Sequence, residues 1–425
     1  MSVLSVGSSE RPAREPSFAE FVVIIAFMMA LGSMSIDNLL PAFGHIQHDF
    51  GLATANEVQL ILSVYMAGFA VMQLFYGPAS DVIGRRPTLM IGLVIFSIGS
   101  VIALFAPTFE VMLLGRLVQG MGAAATRILS VAIVRDRYEG REMARVMSFT
   151  MMIFIIVPVF APAIGSLFLL FGSWHAIFVS MLVMAIGVAV WFGRRMPETL
   201  HPEYRMPLSF ARIGNGMKRC LQERATVGYS TAIGLMFGGL MAYISSSQQI
   251  FETEVYALGS LFPLVFGLIA AVMGIASFVN IRLVRRLGMR RISHAGVCGH
   301  VAVSLGLVIL AYSYDGKPPL ILFALGLAAC QFLFSLTMPN FNTMAMEPLG
   351  EIAGTASSMI GFYTTIMGTI VGTVIGQAFN GTVLPLSVGF LATGVLSLAI
   401  VIWTERGRLF APHHADPVTL VDAGH

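Results

Sequence analysis

The chain alternates between long apolar blocks and short polar breaks. Apolar blocks lie at about 19–43, 57–78, 87–106, 109–133, 145–171 and 174–193, and again at about 225–249, 258–281, 292–312, 319–341, 352–378 and 384–403. A polar stretch of about 30 residues separates the sixth block from the seventh. About 20 apolar residues are needed for a helix to cross a bilayer. Each block therefore predicts one spanning helix, twelve in all. The predicted organisation is an N-terminal tail (1–18), a six-helix half (19–193), a middle loop (194–224), a second six-helix half (225–403) and a C-terminal tail (404–425). That last tail is polar, contains Pro412 and Pro417, and reads as disordered.

Composition agrees. Of the 425 residues, 56% are hydrophobic and 11% charged, and the mean hydropathy is +0.83. A soluble domain carries roughly 25% charged residues, so a soluble enzyme and a disordered chain are both excluded. A net charge of +3 with scattered arginines gives no footprint for nucleic acid. The three cysteines, Cys220, Cys298 and Cys330, form neither a disulfide framework nor a metal site, and no cofactor is expected. The first apolar block is too long for a signal-peptide core and shows no cleavage pattern. It reads as the first spanning helix.

Arginine placement predicts the orientation. With the N-terminus inside, the inside segments hold 22 of the 25 basic residues, among them Arg11, Arg14, Arg85, Arg86, Arg135, Arg137, Arg205, Arg212, Arg290 and Arg291. Only Lys317 falls outside, while Arg116 and Arg127 lie within a span. Both termini are thus expected in the cytoplasm. One inside loop, around 342–351, carries Glu347 and Glu351 and no base. The halves also echo each other: Gly288-Met289-Arg290-Arg291 follows Gly84-Arg85-Arg86 by 204 residues.

Several motifs carry chemistry. Gly77-Pro78-Ala79-Ser80-Asp81-Val82-Ile83-Gly84-Arg85-Arg86-Pro87 sits in the first inside loop. Its small residues permit close helix approach, and Asp81 is placed to accept from Arg85 or from a helix N-terminus. Asp37 is the one carboxylate deep in any predicted block, where a charge is costly and function is the default reading. Arg116 lies in Leu113-Leu114-Gly115-Arg116-Leu117-Val118-Gln119-Gly120 at a depth expected to match Asp37. Burial favours a neutral acid and a neighbouring cation favours a carboxylate. A group balanced between the two can load and release a proton; the bland alternative is a static Asp37–Arg116 pair. Pro158-Val159-Phe160-Ala161-Pro162-Ala163-Ile164-Gly165 predicts a bent, tightly packed helix. Arg127 follows Arg116 by 11 residues, about three turns, and shares its face. There it either favours neutral or anionic substrates or snorkels to the headgroups. Polar residues inside spans are candidates for lining a cavity: Asn38, Tyr65, Gln73, Gln119, Tyr243, Asn340 and Tyr363. Gln248 and Gln249 lie near a span end.

The Gly77–Pro87 run resembles the loop motif between helices 2 and 3 of the major facilitator superfamily. The Arg116 run resembles the helix 4 motif that the superfamily assigns to proton transfer, and the Pro158–Gly165 run resembles the short helix 5 signature of its proton-driven exporters. With Ser35-Ile36-Asp37-Asn38-Leu39-Leu40-Pro41, Gln73, Arg135-Asp136 and Ser173-Trp174-His175, the first half is similar to the Bcr/CflA group of multidrug exporters. The resemblance implies a major facilitator fold of twelve helices in two six-helix halves, in the bacterial inner membrane. It also implies a monomer that exchanges protons for drug-like molecules by alternating access. Asp37 would carry the proton and Arg116 would tune it. Gly77, Asp81, Gly84, Arg85 and Arg86 would latch the cytoplasmic gate, and Pro158, Pro162 and Gly165 would shape helix 5. Exporters of the MdfA type carry a second carboxylate two turns before the first; Met29 stands there in this chain. The same fold also serves specific metabolites. A membrane enzyme would need a buried His/Asp/Glu cluster, whereas His175, His294 and His300 are isolated in the sequence and His413 and His414 sit in the tail.

Overall fold

The computed structural model describes residues 16–201, 203 and 210–410. The residues expected to form the tails through position 15 and beyond 410, Arg205, and the side chain of Arg212 lie outside the described residues. Among the described residues all regular structure is helical. In chain order the α-helices are α1 (Phe18–Asp37), α2 (Phe43–Asp49), α3 (Leu60–Ile83), α4 (Arg85–Leu104), α5 (Phe109–Arg137), α6 (Gly140–Leu169), α7 (His175–Arg195), α8 (Phe210–Gln222), α9 (Arg224–Ser247), α10 (Phe262–Leu287), α11 (Met289–Ser313), α12 (Leu320–Met346), α13 (Ala353–Gln377) and α14 (Leu384–Thr404). Setting aside the short α2 and α8 leaves twelve, one in each predicted block. Among the described residues ten stretches are long and apolar enough to cross a membrane; one of them, Leu320–Gln377, holds both α12 and α13, and α6 adds the shorter apolar segment Ile156–Leu169.

The two halves repeat one packing scheme. In the first, α1 packs on α6 and α7, α3 on α5, and α4 on α5 and α7. In the second, α9 packs on α13 and α14, α10 on α12, and α11 on α12 and α14. The halves meet along two seams, α3 against α13 and α6 against α10. Lipid tails offer no hydrophobic drive for helix association, so small residues and close backbones carry the packing. A Cβ on Gly120 of α5 would run into the Tyr65 carbonyl of α3, and one on Gly68 of α3 into the Leu117 carbonyl of α5. Gly120→Val is expected to lower stability by roughly 1–3 kcal/mol through overpacking. Thermal unfolding in detergent checks this, and an unchanged midpoint would show that α3 and α5 can spread freely.

The expected loop at Gly77–Pro87 is almost entirely helix. α3 continues through Pro78 to Ile83 and α4 begins at Arg85, leaving Gly84 alone outside. The chain reverses on one residue because Gly84 takes φ 108°, open to glycine without strain. Gly288 makes the matching turn between α10 and α11 at φ 79°. Both turns lie at the arginine-rich end of the bundle.

The middle loop is not merely polar. Its helix α8 places Met217 and Cys220 on an apolar cluster with Leu349, Ala356 and Met359, which Leu74 of α3 also joins. Burial pushes the Cys220 thiol up from its ordinary range, so it packs as a neutral group. Arg219 pairs with Glu351 at 2.8 Å. The base-free loop around 342–351 thus receives its base from the middle loop. The predicted disordered tail also needs correction over its first residues. Glu405 accepts from Tyr229 Oη and, at 3.2 Å, from Arg290, while the Phe410 N–H donates to His294 Nδ1 at 3.0 Å. These bonds hold Glu405–Phe410 against α9 and α11.

Candidate functional site

α1 ends at Asp37, so this residue sits at a helix break rather than deep within a continuous helix. Pro41 explains the break: a proline has no N–H to give the carbonyl four residues back, and its ring clashes with that carbonyl, here the one of Asp37. The chain resumes in a 3₁₀ turn, Leu40–Ala42, and then α2. Asp37 is 4% exposed, and its side-chain partner is Ser33, one turn earlier. Tyr65 of α3 and Tyr243 of α9 both lie within electrostatic range of its carboxylate. Tyr243 belongs to the other half, is buried and stacks on Phe266 at 5.5 Å; its hydroxyl makes no hydrogen bond among the described residues.

Arg116 is fully buried and does not pair with Asp37; no salt bridge joins them among the described residues. Its guanidinium donates to the Ser35 carbonyl at 2.9 Å, to the Ile61 carbonyl at 3.4 Å and to Gln119 Oε1, and lies 4.4 Å above the Tyr65 ring. A helix leaves its last four carbonyls without intrahelical donors, and Ser35 is among those of α1. Arg116 therefore caps the broken end of α1 with a cation, the favourable sign at a C-terminus. Gln119 continues the network to Ser100 of α4 at 2.8 Å and to Met181 of α7. Tyr65 Oη donates to the Gly32 carbonyl of α1 at 3.3 Å.

Asn38 follows Asp37 and is buried, with both side-chain amide atoms unpaired among the described residues. Its backbone rests against Gly165 of α6, where any Cβ would strike the Asn38 carbonyl. Gly165 thus lets α6 press on the break. Further along α6, Pro158 and Pro162 lie inside the helix, and the Val159 carbonyl between them sits against Gly267 of α10. α6 therefore links the Asp37 break to the second half. Met29 is buried in α1.

Arg127 is exposed, yet it lies roughly 140° around α5 from the lipid-exposed Leu114 and within about 20° of Arg116. The other cavity candidates divide. Gln73 crosses the seam, donating to Thr365 Oγ1 of α13 at 3.0 Å. Asn340 exchanges hydrogen bonds with Asn280 of α10, the shorter at 2.9 Å, and Tyr363 meets Thr231 of α9 at 3.0 Å. These last two join helices within the second half.

At the arginine-rich end, Arg85 bonds Asp81 at 2.5 Å, Ser80 at 2.6 Å and Asp136 of α5 at 2.8 Å. Glu198, just past α7, accepts from the Arg85 and Arg86 N–H groups at 2.9 and 3.1 Å. It fills the N-terminus of α4, where an anion is favoured. Arg86 reaches the Gly193 carbonyl, and Arg195 of α7 pairs with Glu20 of α1 at 2.6 Å. Gly77 lies on the α3–α13 seam beside Ser358. Sequence reasoning missed Glu198 and Glu20; the signal for both was an acid within three residues of a helix end.

It also missed the seam at the opposite end. Gln59 donates to Gln249 Oε1, Gln249 donates to Asn56 Oδ1 at 2.8 Å, and Asn56 donates to the Gln377 and Phe379 carbonyls at 3.1 and 3.0 Å. Ser63 and Thr373 meet at 2.7 Å. Beyond α9 the chain makes a π-helical turn, Gln248–Thr253, which extends that span past its expected end. Asp37 therefore has company: Glu252 lies in the extension, with Oε2 buried and without a hydrogen bond among the described residues.

The sequence profile described as Major Facilitator Superfamily matches residues 22–372. An "Uncharacterized MFS-type transporter YdgK" of Bacillus subtilis is 30% identical over 90% of this chain and 95% of its own. A "Bicyclomycin resistance protein homolog" of Haemophilus influenzae is 28% identical over 91% and 96%, and the "Multidrug resistance protein D" of Escherichia coli 25% over 93% and 98%. A crystal structure of a D-xylose-proton symporter shares the fold at a TM-score of 0.72 and 16% identity, covering 91% of this chain and 97% of that one. The chain belongs to the major facilitator superfamily, as a polytopic membrane transporter and not an enzyme.

Proposed function

We propose that this transporter is a proton-coupled exporter of drug-like molecules, with Asp37 as the proton carrier. The observation that carries the reading is Asp37 itself: a carboxyl buried at a helix break, without a cation partner, beside a tyrosine of the opposite half. Burying such a group within a bilayer is costly, and its position lets a proton on Asp37 be felt across the seam. The relatives named for multidrug and bicyclomycin resistance support the substrate class. The arginine-rich end faces the cytoplasm of a bacterial cell, with both tails inside, in agreement with arginine placement. The protein acts as a monomer in the inner membrane, with the halves rocking about a pocket between them. Gly77, Asp81, Gly84, Arg85 and Arg86 form the inner latch. Arg116 serves Asp37 by fixing the break that holds it. Arg127, on the same face of α5 as Arg116, favours neutral or anionic substrates over cations.

Ligand-triggered proton release from purified protein tests the reading. Cationic, neutral and anionic antimicrobials are added to the original protein, to Asp37→Asn and to Arg127→Ala. Release is expected from the original protein and not from Asp37→Asn, with the anionic response weakened in Arg127→Ala. Equal release from Asp37→Asn would remove Asp37 as carrier. Silence towards every compound would move the assignment to a specific metabolite.

A further inference from the structure

The geometry points to a second proton-binding site in the outer gate, formed by Glu252 on the π-helical turn that closes the seam. This rests on the proposed orientation, in which the arginine-poor end is the outer face. π-helical turns inside α-helices recur at functional sites because they store an irregular backbone where a side chain must be aimed. Here the Glu254 N–H reaches the Gln249 carbonyl, five residues back, at 2.9 Å. The turn presents Gln249 to the gate and draws Glu252 in beside Gln248, its side-chain partner.

Among the described residues no salt bridge reaches Glu252; Gly44 of α2 lies against Gln248, and the two histidines of α2, His45 and His48, are exposed. The turn packs on the 3₁₀ turn Leu40–Ala42, on Gly259–Leu261 and on the start of α10. Those two turns, and α10 from Phe262 to Ile281, contain no ionisable residue. On its own element, Glu254 is exposed and Tyr243 lies two turns below, while Tyr256 is engaged with the Pro318 carbonyl at 2.9 Å. A carboxylate with a buried, unbonded oxygen and no counter-charge is expensive, whereas the protonated acid is not. The closed gate therefore holds Glu252 protonated, and the open gate, which admits water, releases that proton outside. The turn also touches Leu40–Ala42, which directly follows the Asp37 break. The two carboxyls are thus three to five residues of backbone and one contact apart, and opening the gate moves both.

The test needs no substrate. The full chain carries Cys220→Ala, Cys298→Ala and Cys330→Ala. Spin labels are placed at Ala53→Cys and Ala378→Cys, two exposed positions on opposite sides of the outer seam. Pulsed electron paramagnetic resonance in lipid nanodiscs reads the closed and open populations across a pH series. One linked proton changes their ratio by up to about tenfold per pH unit. The closed population is expected to fall as pH rises. In Glu252→Gln, whose neutral amide mimics the protonated acid, the gate stays closed at every pH. Glu252→Asp retains an acid and restores the dependence, which separates titration from misfolding. Asp37→Asn keeps the dependence. A gate indifferent to pH in the unsubstituted background overturns the proposal, and so does a dependence that survives Glu252→Gln. If that surviving dependence disappears in Asp37→Asn, it belongs to Asp37, and the carrier assignment stands while the second site falls.

Discussion

Uphill export is expected to be lost completely in the Asp37→Asn protein, while downhill exchange of the same molecule continues. One pH unit is worth about 1.4 kcal/mol per proton, and about 2.3 kcal/mol per charge comes from each 100 mV. Together they supply about 3.7 kcal/mol, enough for a gradient of roughly 500-fold at about 1.4 kcal/mol per tenfold. A carboxamide at position 37 keeps the size, the hydrogen bond with Ser33 and the neutral state, so the halves still exchange. It cannot carry a proton, so the gradient falls from hundreds-fold to about one. Reconstituted vesicles loaded with a fluorescent substrate separate the two fluxes by imposing or dissipating a pH gradient. Accumulation that survives the substitution would refute the assignment; loss of both fluxes would indicate a structural defect.

Arg116→Ala is expected to destabilise the fold by about 3–5 kcal/mol, against a typical total of about 5–15. The substitution strips the Ser35 and Ile61 carbonyls and Gln119 Oε1 of a charged donor in a site sealed from water. Hydrogen bonds to charged groups contribute about 1.5–3 kcal/mol each, and the vacated volume under Phe178 and over Tyr65 adds a cavity cost. Arg116→Lys lies between, because an ammonium cannot spread across the same acceptors. Thermal unfolding followed by size-exclusion chromatography measures the loss. A protein that unfolds at the original temperature but exports with a displaced pH profile would instead restore the idea that Arg116 tunes Asp37 directly.

What the sequence made legible was whatever depends on local spacing. Twelve blocks became twelve long helices because a bilayer demands length and apolarity and little else. Gly84 was visible as part of a motif, although its place as the sole turn residue was not. The break at Asp37 was written in Pro41, four residues on, and the block pattern passed over it because both sides are apolar. Partnerships were harder. Nothing local distinguishes Asn340, bonded to Asn280, from an amide lining a cavity, since the partner lies 60 residues away. Gln59 and Gln249 meet across 190 residues. Glu252 was hidden because hydropathy falls before the helix does. Spacing along two helices carries no information on the direction in which a side chain leaves its helix, so the Asp37–Arg116 pair expected from it is replaced by Arg116 on the Ser35 carbonyl.

The two ends of the bundle differ in the kind of bond that holds them. The arginine-rich end is built on charge pairs: Arg85 with Asp81 and Asp136, Arg195 with Glu20, Arg219 with Glu351, and Arg290 with Glu405. The seam at the opposite end is built on amides, hydroxyls and carbonyls. Dissolved ions screen exposed charge pairs over about 8–10 Å at ordinary ionic strength, and they leave neutral hydrogen bonds nearly untouched. A bacterium regulates the salt inside it and cannot choose the salt outside. In the proposed orientation the outward seam is the one without charge pairs, so its opening is expected to cost nearly the same in dilute and in salty surroundings.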